Sequence, residues 1–163
     1  MNEFVTGVLE RNDVGATDGH TVYDRWLTLR LANGTAIGIF DDELISTDLV
    51  VGQMYDLVLI VAVPWEIRYL PGPPPDVDLK ALEQDYVLRG VVLDPYWQAT
   101  ERRYRYMTAG FYKRVSVLLE TAIGRLLVSR RNLEKDMQGP AEQVATGGYL
   151  EWMESRLDLL AVL

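Results

Sequence analysis

A chain of 163 residues with 48% apolar and 25% charged side chains holds one full globular domain or two very small ones, which excludes disorder over most of its length. It has no cysteine, so disulfides, thiolate nucleophiles and thiolate metal sites are excluded together, and a cytoplasmic setting is expected. The N-terminus lacks a basic region followed by an apolar stretch, and the apolar run 57–63 falls far short of the ~20 residues that a membrane span takes, so neither export nor membrane insertion is expected.

The net charge of −8 is unevenly spread. Residues 1–80 hold 5 Lys/Arg against 13 Asp/Glu, whereas residues 81–163 hold 11 of each. Within the second half, 101–131 carries 8 basic residues and 2 acidic ones, so the basic charge is local.

In chain order, apolar residues of the first half recur at a spacing of two, which predicts strands separated by turns. Phe4–Leu9 is a first strand, and Arg11–His20, with Gly15 and Gly19, is a polar loop. In Thr21–Leu31 the residues Leu27, Leu29 and Leu31 share one face while Thr28 and Arg30 point the other way. Asn33-Gly34 supplies the positive φ angles of a tight hairpin, and the chain returns through Ala36–Phe40.

After a connector at Asp41-Asp42-Glu43, Met54–Val63 is apolar on both faces apart from Asp56, which predicts a strand covered on both sides. Pro64 would break a strand interior, so Trp65–Leu70 is expected as a separate edge strand or exit segment. Pro71-Gly72-Pro73-Pro74-Pro75 has almost no backbone donors and reads as a stiff connector. One or two helical turns over Asp78–Gln84, capped by Asp76 or Asp78, follow.

A second set of strand-like segments then repeats the first in pattern and order. Leu88–Val92 matches Val5–Leu9, Arg114–Leu119 matches Trp26–Leu31, and Asp158–Ala161 is set against Asp56–Leu59. Leu126–Val128 is a returning strand, and Glu134–Thr146 a long loop or short helix. The end of the chain fits helical spacing from Leu150 and strand spacing from Leu157, and the repeat favours a strand from about Arg156. The expected architecture is all-β with minor helix: two small OB-like or SH3-like β-barrels in tandem. Residues 1–70 form one unit, 71–85 the connector and short helix, and 86–163 the other. A single β-sandwich or a larger single barrel is the alternative.

The candidate binding segment is Arg102, Arg103, Tyr104, Arg105 and Tyr106, continued by Lys113 and Arg114. Guanidinium groups pair with phosphates and aromatic faces stack on unpaired bases, so the interleaving suits single-stranded nucleic acid. It also suits a half-exposed strand whose arginines pair with carboxylates of the acidic half. Arg125, Arg130 and Arg131 either enlarge the same patch or are solvated strand ends.

Catalytic and metal chemistry find little support. Asp41-Asp42-Glu43 and Asp76-x-Asp78 lack the spaced oxygens and glycine of a calcium loop and read as solvated turns. His20, the single histidine, has no visible nucleophile or orienting partner. No G-x-S-x-G, phosphate-binding loop or dinucleotide fingerprint occurs, which leaves only an enzyme built on distant carboxylates. Trp65, Trp97 and Trp152 with Tyr69, Tyr96 and Tyr149 suit local packing singly and self-association as a group. The expectation is therefore a non-enzymatic interaction module without a cofactor, binding a protein partner or a second copy. Binding of single-stranded nucleic acid through 102–114 is the alternative.

Overall fold

The computed structural model describes residues 4–62, 65–72, 87–100, 104–153 and 156–163. Its strands are β1 (Val5–Val14), β2 (Arg25–Leu31), β3 (Ala36–Asp41), β4 (Met54–Ala62), β5 (Trp65–Leu70), β6 (Val87–Trp97), β7 (Tyr106–Met107), β8 (Ser116–Thr121), β9 (Gly124–Ser129), β10 (Tyr149–Met153) and β11 (Arg156–Val162). One short helix, α1 (Arg130–Asp136), and single 3-10 turns at Phe111–Lys113 and Ala141–Gln143 complete the described elements, so the fold is mainly β. The helical turn expected over Asp78–Gln84, with Asp76, lies outside the described residues.

Period-two patterning works where one face of a strand meets solvent. In β2, Leu27, Leu29 and Leu31 are buried while Thr28 and Arg30 face outward. Gly34, at φ 89°, turns the chain into β3. The apolar run of β4 has a different cause: it pairs with β1 (Leu57 opposite Val5), with β11 (Leu59 opposite Leu159) and with β9 (Ile60 opposite Leu127). Strands covered on all sides carry few polar residues.

Five strands close into a barrel in the order β11-β4-β1-β2-β3, and a parallel contact between Asp158 and Phe40 returns β3 to β11. Closure removes free edges. The closing strand is drawn from the opposite end of the chain. Five of the remaining strands run β5-β10-β6-β8-β9, the same order with each first-half strand replaced by its second-half counterpart and β11 replaced by β5, while the short β7 pairs with β11. The fifth strands are therefore exchanged: β5 follows β4 in sequence but pairs with β10, while β11 follows β10 but pairs with β4. At the strand ends, Ala62 lies opposite Arg156 and Trp65 opposite Met153. Helix α1 packs on both β5 and β9, and Gln138 N donates to Ile67 O at 3.1 Å beside it.

The two strand sets follow a similar order, but two of the expected correspondences between them are displaced. Leu9 pairs with Leu29 and Val92 with Leu119, so Leu27 corresponds to Val117 and not to Val115. Leu27 is 1% exposed and Val115, just outside β8, is 37% exposed. A slip of two leaves every side chain on the same face, so alternation alone cannot detect it. The counterpart of β4 is β10, since Tyr55 and Leu150 lie opposite Gly7 and Gly90. Asp158–Ala161 is thus the neighbour of β4 and the counterpart of β5. Both β1 and β6 carry a bulge at the matching point, between Leu9 and Arg11 and between Val92 and Asp94.

Buried residues of both strand sets join in one cluster that includes Leu9, Leu27, Leu29, Val92, Val117, Leu119, Trp152 and Leu159. Each such side chain withdrawn from water contributes about 1.5–3 kcal/mol before the cost of ordering it. The turn after β3 is less solvated than its composition implies. Asp41 is fully buried, and its carboxylate accepts hydrogen bonds from Ile45 N at 3.2 Å and from the Ser46 amide and hydroxyl. A buried carboxylate requires such donors, and here they fold the loop that presents Asp42 and Glu43.

Candidate anion-binding cleft

The site begins with one anchored ring. Phe111, 1% exposed, sits in a 3-10 turn entered through Gly110 at φ 76°. Its ring meets Tyr104 at 4.9 Å and Tyr112 at 5.6 Å between centroids, both edge-on. Lys113 N donates to Gly110 O at 3.0 Å, and Arg114 N to Phe111 O at 3.3 Å. With the ring pinned inward, the turn leaves Lys113 exposed and Arg114 half-exposed.

The facing wall is the junction of β9 and α1. Arg130 N donates to Val115 O at 3.2 Å, tying the two walls together. The Arg130 side chain is 9% exposed and already engaged: it donates to Pro95 O at 3.1 Å and to Tyr96 Oη and Ala141 O at 3.3 Å. Its guanidinium also stacks 4.2 Å from the centre of the Tyr96 ring. Arg131 beside it is exposed.

Between these walls lies an open cleft of about 500 Å³, lined by Lys113, Arg114, Ser129, Arg130, Arg131 and Glu134 together with the backbone around Gly110. Four cations therefore face one carboxylate. Outside the cleft, the exposed Arg105 and Lys135 have no side-chain partner, but most arginines are engaged. Arg11, Arg30, Arg68, Arg89, Arg125 and Arg156 are each paired with a carboxylate, and Arg25 donates to Asn12 Oδ1. Among the described residues, the side chains of Lys113, Arg114 and Arg131 have neither an ion pair nor a hydrogen bond, and Arg114 Nε is buried without an acceptor. A buried donor left unmade costs about 1–3 kcal/mol.

The sequence-predicted residues divide around this cleft. Lys113 and Arg114 line it; Arg102 and Arg103 lie outside the described residues. Arg105 is exposed and its amide donates to Val162 O at 2.6 Å, while Tyr106 sits in β7 opposite Val162 and packs on the core. Neither Arg105 nor Tyr106 lines the cleft. Arg125 pairs with Glu120 on the neighbouring strand, and Arg130 is buried where a solvated strand end was the alternative. Ser129 and Glu134 gave no signal in the sequence, because only the fold brings the start of α1 against the turn at Phe111.

The cleft has one hydroxyl, Ser129, which is hydrogen-bonded to no base among the described residues. No group of three or more His, Asp or Glu among the described residues is placed to hold a metal ion, and no described helix is long and apolar enough to cross a membrane.

No protein-family model matches the chain, and no curated protein matches it. Among solved structures it is similar to the cytoplasmic molybdate-binding protein ModG, crystallised with molybdate bound, at 14% identity and a TM-score of 0.35, over 97% of this chain and 94% of that one. Similarity at this level transfers neither a ligand nor a residue role, and the closed barrel stands on the strand pairing given above.

Proposed function

We propose that this protein is a non-enzymatic interaction module that seats an acidic segment of a protein partner in the cleft between the Phe111 turn and α1. The observation that carries the reading is the gathering of three unpaired cations, Lys113, Arg114 and Arg131, in one cleft of a chain of net charge −8, most of whose other described arginines are engaged. Acidic proteins have carboxylates to spare, so leaving three neighbouring cations unpaired keeps them available to an outside anion. Hydrogen bonds between charged partners contribute about 1.5–3 kcal/mol each, so two or three of them supply about 3–9 kcal/mol, which holds a short peptide at millimolar to micromolar strength.

Single-stranded nucleic acid is the second reading, favoured by the exposed Arg105 beside the same turn. Against it, Tyr104, Phe111 and Tyr112 present their faces and edges to one another, which takes up the stacking surface that unpaired bases need. Fluorescence anisotropy with a labelled oligoglutamate and a labelled oligothymidylate separates the two. The reading predicts tighter peptide binding, weakened by salt and at least tenfold weaker in a Lys113→Gln, Arg114→Gln, Arg131→Gln variant. Tighter oligothymidylate binding supports the second reading, and failure of both overturns the cleft as a polyanion site. Sedimentation of the unlabelled protein reveals whether a second copy supplies the acidic segment.

A further inference from the structure

A second cleft, of about 310 Å³, lies where the two strand sets meet, lined by Asp42, Glu43, Thr108, Arg114, Asn132 and Asp158 above the β4–β11 ladder at Ile60 and Leu159. Its volume suits a small molecule and is too small for a folded segment. Arg114 forms part of the wall between this cleft and the basic one, because it lines both.

The polar groups of the junction cleft fall into two kinds, those with partners and those without. Glu43 Oε1 accepts from Ala109 N at 2.9 Å, and Asp158 is held by Arg156 through two bonds of 2.6 and 3.0 Å. Both acids are thus engaged. Asp42 is exposed and makes neither a hydrogen bond nor an ion pair among the described residues, although its charge is felt by Arg156. Arg114 likewise has no partner, and Thr108, only 5% exposed, has an Oγ1 without one. A hydroxyl withdrawn from water with nothing to bond is a rare loss in a folded protein, and a bound ligand is one way to recover it.

One free carboxylate and one free guanidinium, with a spare hydroxyl and the Asn132 amide, are the complement of a molecule carrying one negative and one positive group. We infer that the junction cleft binds a small zwitterion of the amino-acid class, its carboxylate received by Arg114 and Thr108 and its ammonium by Asp42. The apolar floor at Ile60, Leu159 and Leu160 receives the carbon skeleton. The two sites share Arg114 but are otherwise separate: Asp42 and Thr108 do not line the basic cleft, and Lys113 and Arg131 do not line this one.

The test is calorimetric titration of the intact chain with each of the common free L-amino acids, repeated on Asp42→Asn, Thr108→Val and Lys113→Gln. The expected result is saturable binding of at least one amino acid, weakened tenfold or more by Asp42→Asn and severalfold by Thr108→Val, and unchanged by Lys113→Gln. Circular dichroism confirms that each variant keeps its fold, and Thr108→Ser, which retains the hydroxyl, restores affinity. Absence of binding up to 10 mM of every amino acid overturns the inference, as does binding that Asp42→Asn leaves intact. Loss of oligoglutamate binding in Lys113→Gln bears only on the basic cleft.

Discussion

Gly7 and Gly90 hold the same place in the two strand sets. A Cβ on Gly7 would fall 2.5 Å from Arg30 O and 2.9 Å from Leu29 Cγ, and a Cβ on Gly90 would fall 2.7 Å from Leu119 Cβ. Each glycine lies two residues before a core residue, Leu9 or Val92, that pairs with the same leucine its own Cβ would strike. The restriction is one of space, as neither glycine has a positive φ. Gly7→Ala and Gly90→Ala are each expected to destabilise the protein by about 1–3 kcal/mol, the usual cost of overpacking. Gly38→Ala, whose Cβ meets nothing within 4 Å, serves as the control and changes stability by no more than about 0.5 kcal/mol. Urea unfolding with equal slopes checks all three.

Exchange of β5 and β11 makes each half of the chain depend on the other. Cut between Pro75 and Asp76, the fragment 1–75 carries β5 without β10, and 76–163 carries β11 without β4. The expected outcome is that the fragments co-purify one to one and regain the dispersed amide spectrum of the intact chain only when mixed. A fragment 1–75 that stays monomeric, folds with native stability and ignores 76–163 would show that β5 takes the place of β11, which the pairing contradicts.

Asp18 organises the loop between β1 and β2 by accepting from His20 N at 2.9 Å, Thr21 N at 2.7 Å and Tyr23 Oη at 3.0 Å. The bond from Thr21, then those from His20 and Tyr23, stabilise the carboxylate and hold its pKa below the ordinary 3.8. Because the folded value lies below the unfolded one, the contribution is complete above the ordinary value and disappears as pH falls through the lowered one. A carboxyl carbon NMR titration is expected to place the Asp18 midpoint under 3.8, and to move it upward in Tyr23→Phe. A midpoint at or above 3.8 refutes the arrangement.

Much of the local structure is legible in the sequence, because strand alternation and turn chemistry are local. The face shared by Leu27, Leu29 and Leu31, the Asn33-Gly34 turn and the run of β4, apolar apart from Asp56, all follow from neighbouring residues. What the sequence hides is non-local. Nothing near Trp65 or Arg156 declares that each strand pairs across the molecule, and the bulges at Glu10 and Leu93 add a residue that pattern matching cannot count. The site shows the same division. Alternating arginine and tyrosine marks the right region of the chain, yet the rings of Tyr104 and Tyr106 turn inward. Arg131, one of the residues that the sequence offered as enlarging the patch, does join Lys113 and Arg114, but Ser129 and Glu134, which complete the cleft, are brought near only by the fold.

The most direct measurement is the arginine Nε–Hε NMR spectrum recorded while an oligoglutamate peptide is added. The signals of Arg114 and Arg131 are expected to shift in step with peptide concentration, while those of Arg30 and Arg125, paired with Glu10 and Glu120, stay in place. Stationary Arg114 and Arg131 signals at saturating peptide, or shifts distributed evenly over all the arginines, would contradict the cleft as the binding surface.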